Sequence, residues 1–194
     1  MNAARSRGVE GNKRLPATER KAQILAASEK VLQREGLARF SLEDVAKEAG
    51  VAATLPRHYF KSRDGLLVAT VNGMIAETLA PLLDPDTSLN LEDRYRAYIR
   101  HIDEIRWAHF LWLRAESVHP DVERAVDKWR KLLVALSFGR RWDDLSIAER
   151  AHGAGWVGYF ATSVAEWISQ DCHDQELMLN LLLKTANQFG VVGA

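Results

Sequence analysis

The reactive side chains of this sequence do not form a catalytic pattern. The six histidines are scattered without metal-ligand spacing, and Cys172 is the single cysteine. The sequence contains no HExxH zinc motif, no glycine-rich phosphate loop and no G-x-S-x-G nucleophile motif. It therefore predicts no enzyme, no cofactor and no metal, which leaves non-covalent recognition as the chemistry to explain.

Hydrogen-bond donors are concentrated between residues 53 and 61. Arg57, His58 and Lys61 bring cationic or titratable groups, and Thr54 and Tyr59 bring hydroxyls. A guanidinium can donate two parallel hydrogen bonds to O6 and N7 of guanine. On an exposed helix, Arg57 could therefore read a base edge of DNA.

Residues 41–60, SLEDVAKEAGVAATLPRHYF, have the pattern of two short helices joined by a glycine turn. Ser41 stands at an N-cap position, and Gly50 can take the left-handed conformation that ends a helix. Such a pair is typical of a helix-turn-helix, whose second helix enters the major groove of DNA. Two ordinary core helices are the alternative. Apolar residues at i, i+3, i+4 and i+7 mark one face of the first helix: Leu42, Val45, Ala46 and Ala49.

Pro56 leaves the start of the second helix open. If Ala52 is the N-cap, Pro56 is the fourth helical residue, and if Thr54 caps a shorter helix, Pro56 is the second. Proline inside a helix costs about 3 kcal/mol, but the first amides of a helix have no intrahelical partner, so both positions tolerate it. The candidates for contact with base edges are Ala53, Thr54 and Arg57.

The order E-G-L…S-L-E-D-V-A-x-E-A-G-V…H-Y-F-K-S-R-D-G-L-L closely resembles the DNA-binding domain of the TetR family of bacterial repressors. Its HYF…GLL ending is most similar to the branch that includes the betaine-pathway repressor. The resemblance covers residues 18–67, and it departs from the family pattern at Ala52 and Pro56. It implies that four residues reach the phosphate backbone: Ser41, His58, Tyr59 and Lys61.

The charge is divided unevenly along the chain. Residues 1–65 contain 13 Lys+Arg and 8 Asp+Glu, a net +5, and the remaining residues contain 13 and 18, a net −5. A basic N-terminal third suits a nucleic-acid reader joined to another module. We expect a flexible basic arm over 1–16, a helix-turn-helix domain over 17–65, and a ligand-binding and dimerisation domain over 66–194.

Helical periodicity continues through the rest of the chain, and no alternating strand pattern is present. The sequence therefore predicts an all-α protein with an N-terminal three-helix helix-turn-helix domain and a C-terminal helical domain. After the helix expected to start at Asn90, the apolar segment near residues 107–113 either continues that helix or begins a new one. The expected helix starts are Thr18, Ser62, Asn90, Pro120, Ser146 and Asp174.

Aromatic rings interleaved with polar residues fill the second half. An apolar cavity with a few polar groups is the usual small-molecule site, and an aromatic cage can hold a cation. Simple core packing is the alternative. The family resemblance also implies a ligand pocket in this half. The candidates for ligand binding are Trp107, Phe110, Arg114, Trp129, His152, Trp156 and Tyr159.

Small residues recur at helical spacing after residue 150, which favours close approach of another helix. The resemblance implies that the last two helices, at about 147–170 and 174–190, form a four-helix interface with a second copy. Internal packing is the alternative. The candidates for the dimer interface are Ala151, Gly155, Gly158, Thr162, Leu181 and Phe189.

Together these features predict a cytoplasmic, homodimeric repressor that binds a near-palindromic operator in double-stranded DNA and is released by a small-molecule effector. No continuous apolar run of membrane-spanning length is present, so no membrane partner is expected. The alternative function is a helical ligand-binding or protein-interaction dimer that has lost operator binding, because Ala52 and Pro56 depart from the family pattern.

Overall fold

A computed structural model describes residues 15–83, 90–109 and 120–191, and its ordered elements there are helices with no strand among them. The all-α prediction is confirmed. Two short 3-10 helices are also present among these residues, at Ala80–Leu82 and at Trp142–Asp144. The helices are α1 (Ala17–Arg39), α2 (Leu42–Glu48), α3 (Leu55–Phe60), α4 (Arg63–Leu79), α5 (Leu91–Glu104), α6 (Pro120–Ser137), α7 (Ile147–Ser169) and α8 (Gln175–Gln188). Nearly all of the predicted N-terminal arm lies outside the described residues.

Side-chain caps begin several helices where the sequence predicts them. The Asn90 side chain accepts a hydrogen bond from the Asp93 amide at 2.8 Å. Ser146 and Glu149 form a reciprocal capping box, with distances of 3.2 and 2.7 Å. Because such a cap satisfies an amide that the helix leaves unpaired, each is worth about 1 kcal/mol.

Two segments differ from the expected boundaries. Thr18 is not the N-cap of α1, because the helix begins at Ala17 with Pro16 at the N-cap, which makes no side-chain cap. Gly36 has φ 72° and ψ 174°, so the regular part of α1 ends there, as predicted. α5 ends at Glu104, and residues 106–109 are helical again, so the aromatic segment begins a new helix.

α4 is an interior helix. It packs against α1, α3, α5 and α6, and its Leu66, Leu67 and Val71 have no exposed surface. The buried hydroxyls of Ser28 and Thr70 lie 2.6 Å apart and join α1 to α4. Arg63–Leu82 is long and apolar enough to cross a membrane by length and composition. Its burial among four helices instead marks it as a core element.

A polar cluster fastens the end of α5 to the turn between α7 and α8. The carboxylate of Asp103 accepts hydrogen bonds from Gln175 at 3.0 Å, from Arg106, and from His173 at 2.9 Å. Arg106 also donates to the Ile168 carbonyl at 3.1 Å. Burial opposes ionisation of Asp103, but these hydrogen bonds outweigh it and hold its pKa below the ordinary value.

We expect Asp103→Asn to lower the free energy of unfolding by about 1–3 kcal/mol at pH 7, because charge-assisted hydrogen bonds are lost in a mostly buried site. The folded pKa lies below the unfolded value of about 3.9. The stabilisation is therefore present above pH of about 4 and is lost as the pH falls through the folded pKa.

Urea denaturation of both proteins at neutral and acid pH measures this difference. Asp127→Asn is the control, because Asp127 pairs with exposed Lys131 on α6, and an exposed pair contributes at most about 1 kcal/mol. A difference between Asp103→Asn and the wild type that does not shrink at acid pH would contradict the role of the carboxylate.

Candidate nucleic-acid interface

The turn after α2 has the hydrogen bonds of a Schellman motif. Gly50, with φ 63°, donates its amide to the Lys47 carbonyl at 3.1 Å, and Val51 donates to the Ala46 carbonyl at 3.0 Å. The positive φ explains the need for glycine at this position. At the other end of α2, the Ser41 hydroxyl accepts from the Asp44 amide at 3.1 Å and donates to the Asp44 carboxylate. Both ends of α2 therefore follow the sequence prediction.

α3 takes the shorter of the two predicted forms. It begins at Leu55, with Thr54 at the N-cap position and Pro56 as its second residue. The first helical bond runs from the His58 amide to the Thr54 carbonyl at 3.0 Å, so Pro56 removes no hydrogen bond from the helix. The Thr54 side chain makes no capping bond. Pro56 is buried and anchors the helix instead.

The predicted DNA-contacting residues are exposed along this turn and helix. Ala53 and Thr54 precede α3, Arg57 and His58 lie on it, and Lys61 follows it directly. All five are exposed, so α3 presents cationic and donor groups to solvent.

Tyr59 and Ser41 are half-buried. The Tyr59 ring packs edge-on against His58 at 5.3 Å. The Ser41 hydroxyl is already engaged in capping α2.

The corner between α3 and α4 is tight. Lys61 has φ 71°, and Ser62 donates its amide to the Phe60 carbonyl at 2.9 Å, which closes a three-residue turn. The Ser62 hydroxyl caps α4 by accepting from the Gly65 amide at 2.9 Å, as predicted. A Cβ atom at Gly65 would lie 2.3 Å from the Phe60 carbonyl oxygen, so glycine is required there.

Two cations near α3 were not identified from the sequence. The Lys21 ammonium of α1 lies 5.5 Å from the centre of the Phe60 ring, beside the end of α3. Arg63 donates to the carbonyls of Leu37, near the end of α1, and of Phe40, just before α2. A charge pattern alone does not show such placements, because the partners are distant in the sequence.

The ligand candidates occupy different places in the C-terminal half. Trp156 is buried, and its ring stacks on Tyr159 at 6.0 Å and packs against Phe160 at 5.9 Å. Trp129 on α6 donates its indole N–H to the Asn72 side chain of α4 at 3.0 Å. Trp156 and Trp129 thus contribute to packing and to an interhelix hydrogen bond.

The remaining ligand candidates are at the surface or at the end of a described segment. His152 is exposed and packs against the Phe189 ring at 5.0 Å. Trp107 is half-buried next to the end of the 90–109 segment. Phe110 and Arg114 lie outside the described residues. Ligand binding by this set therefore stays a prediction.

His109 is a buried polar residue that the sequence reasoning did not select. Its Nε2 lies 2.8 Å from the Ala161 carbonyl, and its Nδ1 lies 3.1 Å from the Tyr98 hydroxyl. Since a carbonyl can only accept, Nε2 carries the proton and Tyr98 donates to Nδ1. Burial lowers the pKa of His109 despite the bond to Ala161, which favours this neutral form.

The predicted interface residues form an exposed strip. Ala151, Gly155, Gly158 and Thr162 are exposed on α7. A Cβ atom added at Gly158 would meet nothing within 4 Å among the described residues. Leu177 and Leu181 are exposed on α8. Phe189, directly after α8, is half-buried and would lie 3.5 Å from a Cβ atom added at Gly155.

Two helices around a Schellman turn, with an exposed cationic second helix, define a helix-turn-helix domain. Residues 24–70 match the family described as bacterial regulatory proteins, tetR family. Over these residues the chain is therefore similar to the TetR family, as the sequence resemblance predicts.

Curated relatives are named as regulators. The HTH-type transcriptional regulator BetI of Vibrio campbellii is 30% identical over 98 residues, which cover 50% of this chain and 47% of the relative. The chain thus matches about half the length of this relative. This relative is named as a regulator, which agrees with the prediction that the chain is not an enzyme.

Solved structures share the fold over most of the chain. A TetR-like transcriptional regulator from Rhodococcus sp. RHA1 has a TM-score of 0.63 at 22% identity, covering 89% of this chain and 96% of that one. The transcriptional regulator FadR from Bacillus subtilis, in complex with stearoyl-CoA, has a TM-score of 0.63 at 17% identity, covering 89% and 98%. At these identities the likeness shows the fold.

We expect Gly65→Ala to lower the free energy of unfolding by about 1–3 kcal/mol, because the added methyl overlaps a backbone carbonyl that cannot move freely. Gly73→Ala in the same helix is the control. Its Cβ would lie 3.9 Å from Glu29, an ordinary contact, so helix propensity raises stability by up to about 1 kcal/mol. Urea denaturation compares the two, and equal stabilities would contradict the tight corner.

Proposed function

We propose that the chain is a transcriptional regulator that binds double-stranded DNA through α2 and α3. The observation that carries the proposal is the exposed row of donors on and beside α3, within residues that match the TetR family. α3 presents its side chains to solvent while Pro56 and Phe60 anchor it to the domain core. This arrangement suits insertion of α3 into the major groove.

The proposed contacts divide by chemistry. Ala53, Thr54 and Arg57 contact base edges, with the Arg57 guanidinium donating two hydrogen bonds to a guanine. Phosphate contacts come from residues around them that carry a hydroxyl, an imidazole or an ammonium group. The residues proposed for phosphate contact are Ser41, His58, Tyr59 and Lys61.

The test is a titration of the purified chain with its own upstream intergenic DNA and with a scrambled duplex of equal length. We expect Arg57→Ala to weaken binding of the upstream DNA by about 1–3 kcal/mol and to leave binding of the scrambled duplex nearly unchanged. Lys61→Ala should instead weaken both equally and reduce the slope of log K against log salt by about 0.9.

A different outcome would favour the alternative function. Weak binding that is equal on both duplexes and indifferent to Arg57 would indicate a helical ligand-binding or protein-interaction dimer that has lost operator binding. The short α3 favours this alternative, since it has six residues and receives no side-chain cap from Thr54.

We propose that the regulator is a homodimer joined through α7 and α8. The support is the exposed strip of small residues on α7 together with Leu177 and Leu181 of α8, which are 58% and 39% exposed. Small side chains allow the close approach of a partner helix, and leucines supply apolar area. A two-fold dimer would place two copies of α3 on a near-palindromic operator.

We expect Gly158→Gln to raise the dimer dissociation constant about 10–100-fold, because an inserted side chain costs about 1–3 kcal/mol at a tightly packed contact. Analytical ultracentrifugation measures the shift. Ala97→Gln on the exposed side of α5 is the control and should leave the dimer unchanged. A monomeric wild type, or a Gly158→Gln dimer of full strength, would contradict this interface.

We further propose that residues 17–65 form the DNA-binding domain and that residues 66–194 bind a small-molecule effector. We also propose that the protein is a cytoplasmic repressor. FadR in complex with stearoyl-CoA shows a protein of this fold with a bound ligand. α4 contacts α1 and α3 on one side and α5 and α6 on the other. An effector that shifts α4 would change the spacing of the two α3 helices and lower operator affinity.

A further inference from the structure

Arg63, the first residue of α4, turns its side chain toward the loop before α2. Its Nε donates to the Phe40 carbonyl at 2.8 Å, and its Nη2 donates to the Leu37 carbonyl at 2.8 Å. Its Nη1 donates to the Asp64 carboxylate at 3.0 Å. All three nitrogens of the planar guanidinium are therefore engaged within the protein, and its side chain is 39% exposed.

Arg63 and its two carbonyl partners lie on opposite sides of α2 and α3 in the sequence. Phe40 is the residue before the N-cap of α2, and its ring is buried. Arg63 follows Ser62, directly after the turn that ends α3. One side chain thus connects the backbone that enters α2 to the backbone that leaves α3. It fixes both ends of the helix-turn-helix relative to the first turn of α4.

We propose that Arg63 is a positioning residue for DNA recognition and not a phosphate contact. It sets the orientation of α2 and α3 on α4, so that a movement of α4 carries both helices with it. A phosphate contact would require the guanidinium to leave two backbone carbonyls. This inference rests on the proposed DNA-binding function, which it deepens by naming a residue that acts through α2 and α3.

The conservative variant separates the two roles. A lysine retains the charge but lacks the planar fork that reaches two carbonyls and a carboxylate at once. If Arg63 positions the helices, Arg63→Lys and Arg63→Gln should both weaken binding of the upstream DNA by at least about 10-fold. The slope of log K against log salt should stay at the wild-type value, because no phosphate contact is lost.

Direct phosphate contact gives a different result and would overturn the proposal. Arg63→Lys would then bind nearly as the wild type, and Arg63→Gln would reduce the salt slope by about 0.9. Lys128→Gln is the matched control for loss of one charge, because Lys128 is exposed on α6. Titrations run at a temperature where circular dichroism shows every variant fully folded. Wild-type affinity in both variants would indicate a merely structural role and would also overturn the proposal.

Hydrogen–deuterium exchange of the full-length protein provides a readout without DNA. We expect amides of α2 and the turn after it, residues 45–51, to exchange at least about 10-fold faster in both Arg63 variants. Amides of α5 should be unchanged, and Lys128→Gln should match the wild type. If the wild type binds no DNA, the proposed function fails, while the exchange result still decides whether Arg63 holds α2. Unchanged exchange in residues 45–51 would overturn the positioning role.

Discussion

The burial of α4 is the constraint on which the rest of the structure depends. Leu66, Leu67, Val71 and Leu79 have no exposed surface. Full burial of one such side chain stabilises the fold by about 1.5–3 kcal/mol. Because this stabilisation is non-directional, it holds α4 inside the protein without fixing its position along its own axis. Directional hydrogen bonds must supply that position.

Polar contacts supply it at several points along α4. Arg63 fastens the first turn to the loop before α2, and Thr70 pairs with Ser28 of α1. Farther along, Asn72 accepts from Trp129 of α6, and the Glu77 carbonyl lies 3.1 Å from His101 of α5. The N-terminal contacts lead to α1 and to the segment before α2, and the later ones lead to the C-terminal half. Both halves of the molecule are therefore joined to α4 by hydrogen bonds.

The features that the sequence predicts correctly are mostly local ones. The Asn90 cap and the Ser146 capping box join residues three positions apart, so residue type and spacing suffice to identify them. The contacts of Arg63 join residues 23 and 26 positions apart, and the bond from Trp129 to Asn72 spans 57. No local pattern contains such pairs. The aromatic candidates show the same limit, because a tryptophan in a core and one in a pocket look alike in sequence.

Two glycines of α7 show that the structural role of a residue depends on what packs against it. Gly153 on α7 lies against the core, where a Cβ atom would approach Val134 at 2.5 Å. A Cβ atom added at Gly158, on the same helix, would meet nothing within 4 Å among the described residues. The sequence places both in one helix of small residues, and only the packing separates the glycine that serves the core of the chain from the one that faces outward.

The size of α3 explains why the proposed dimer matters for DNA binding. Six helical residues extend about 9 Å, so one copy of α3 can contact only a few base pairs. In a dimer, binding of the second α3 becomes intramolecular and gains from a high effective concentration. That gain is lost when the geometry prevents both helices from engaging at once. A small displacement of α4 would thus change affinity strongly without altering the residues that α3 presents to the bases.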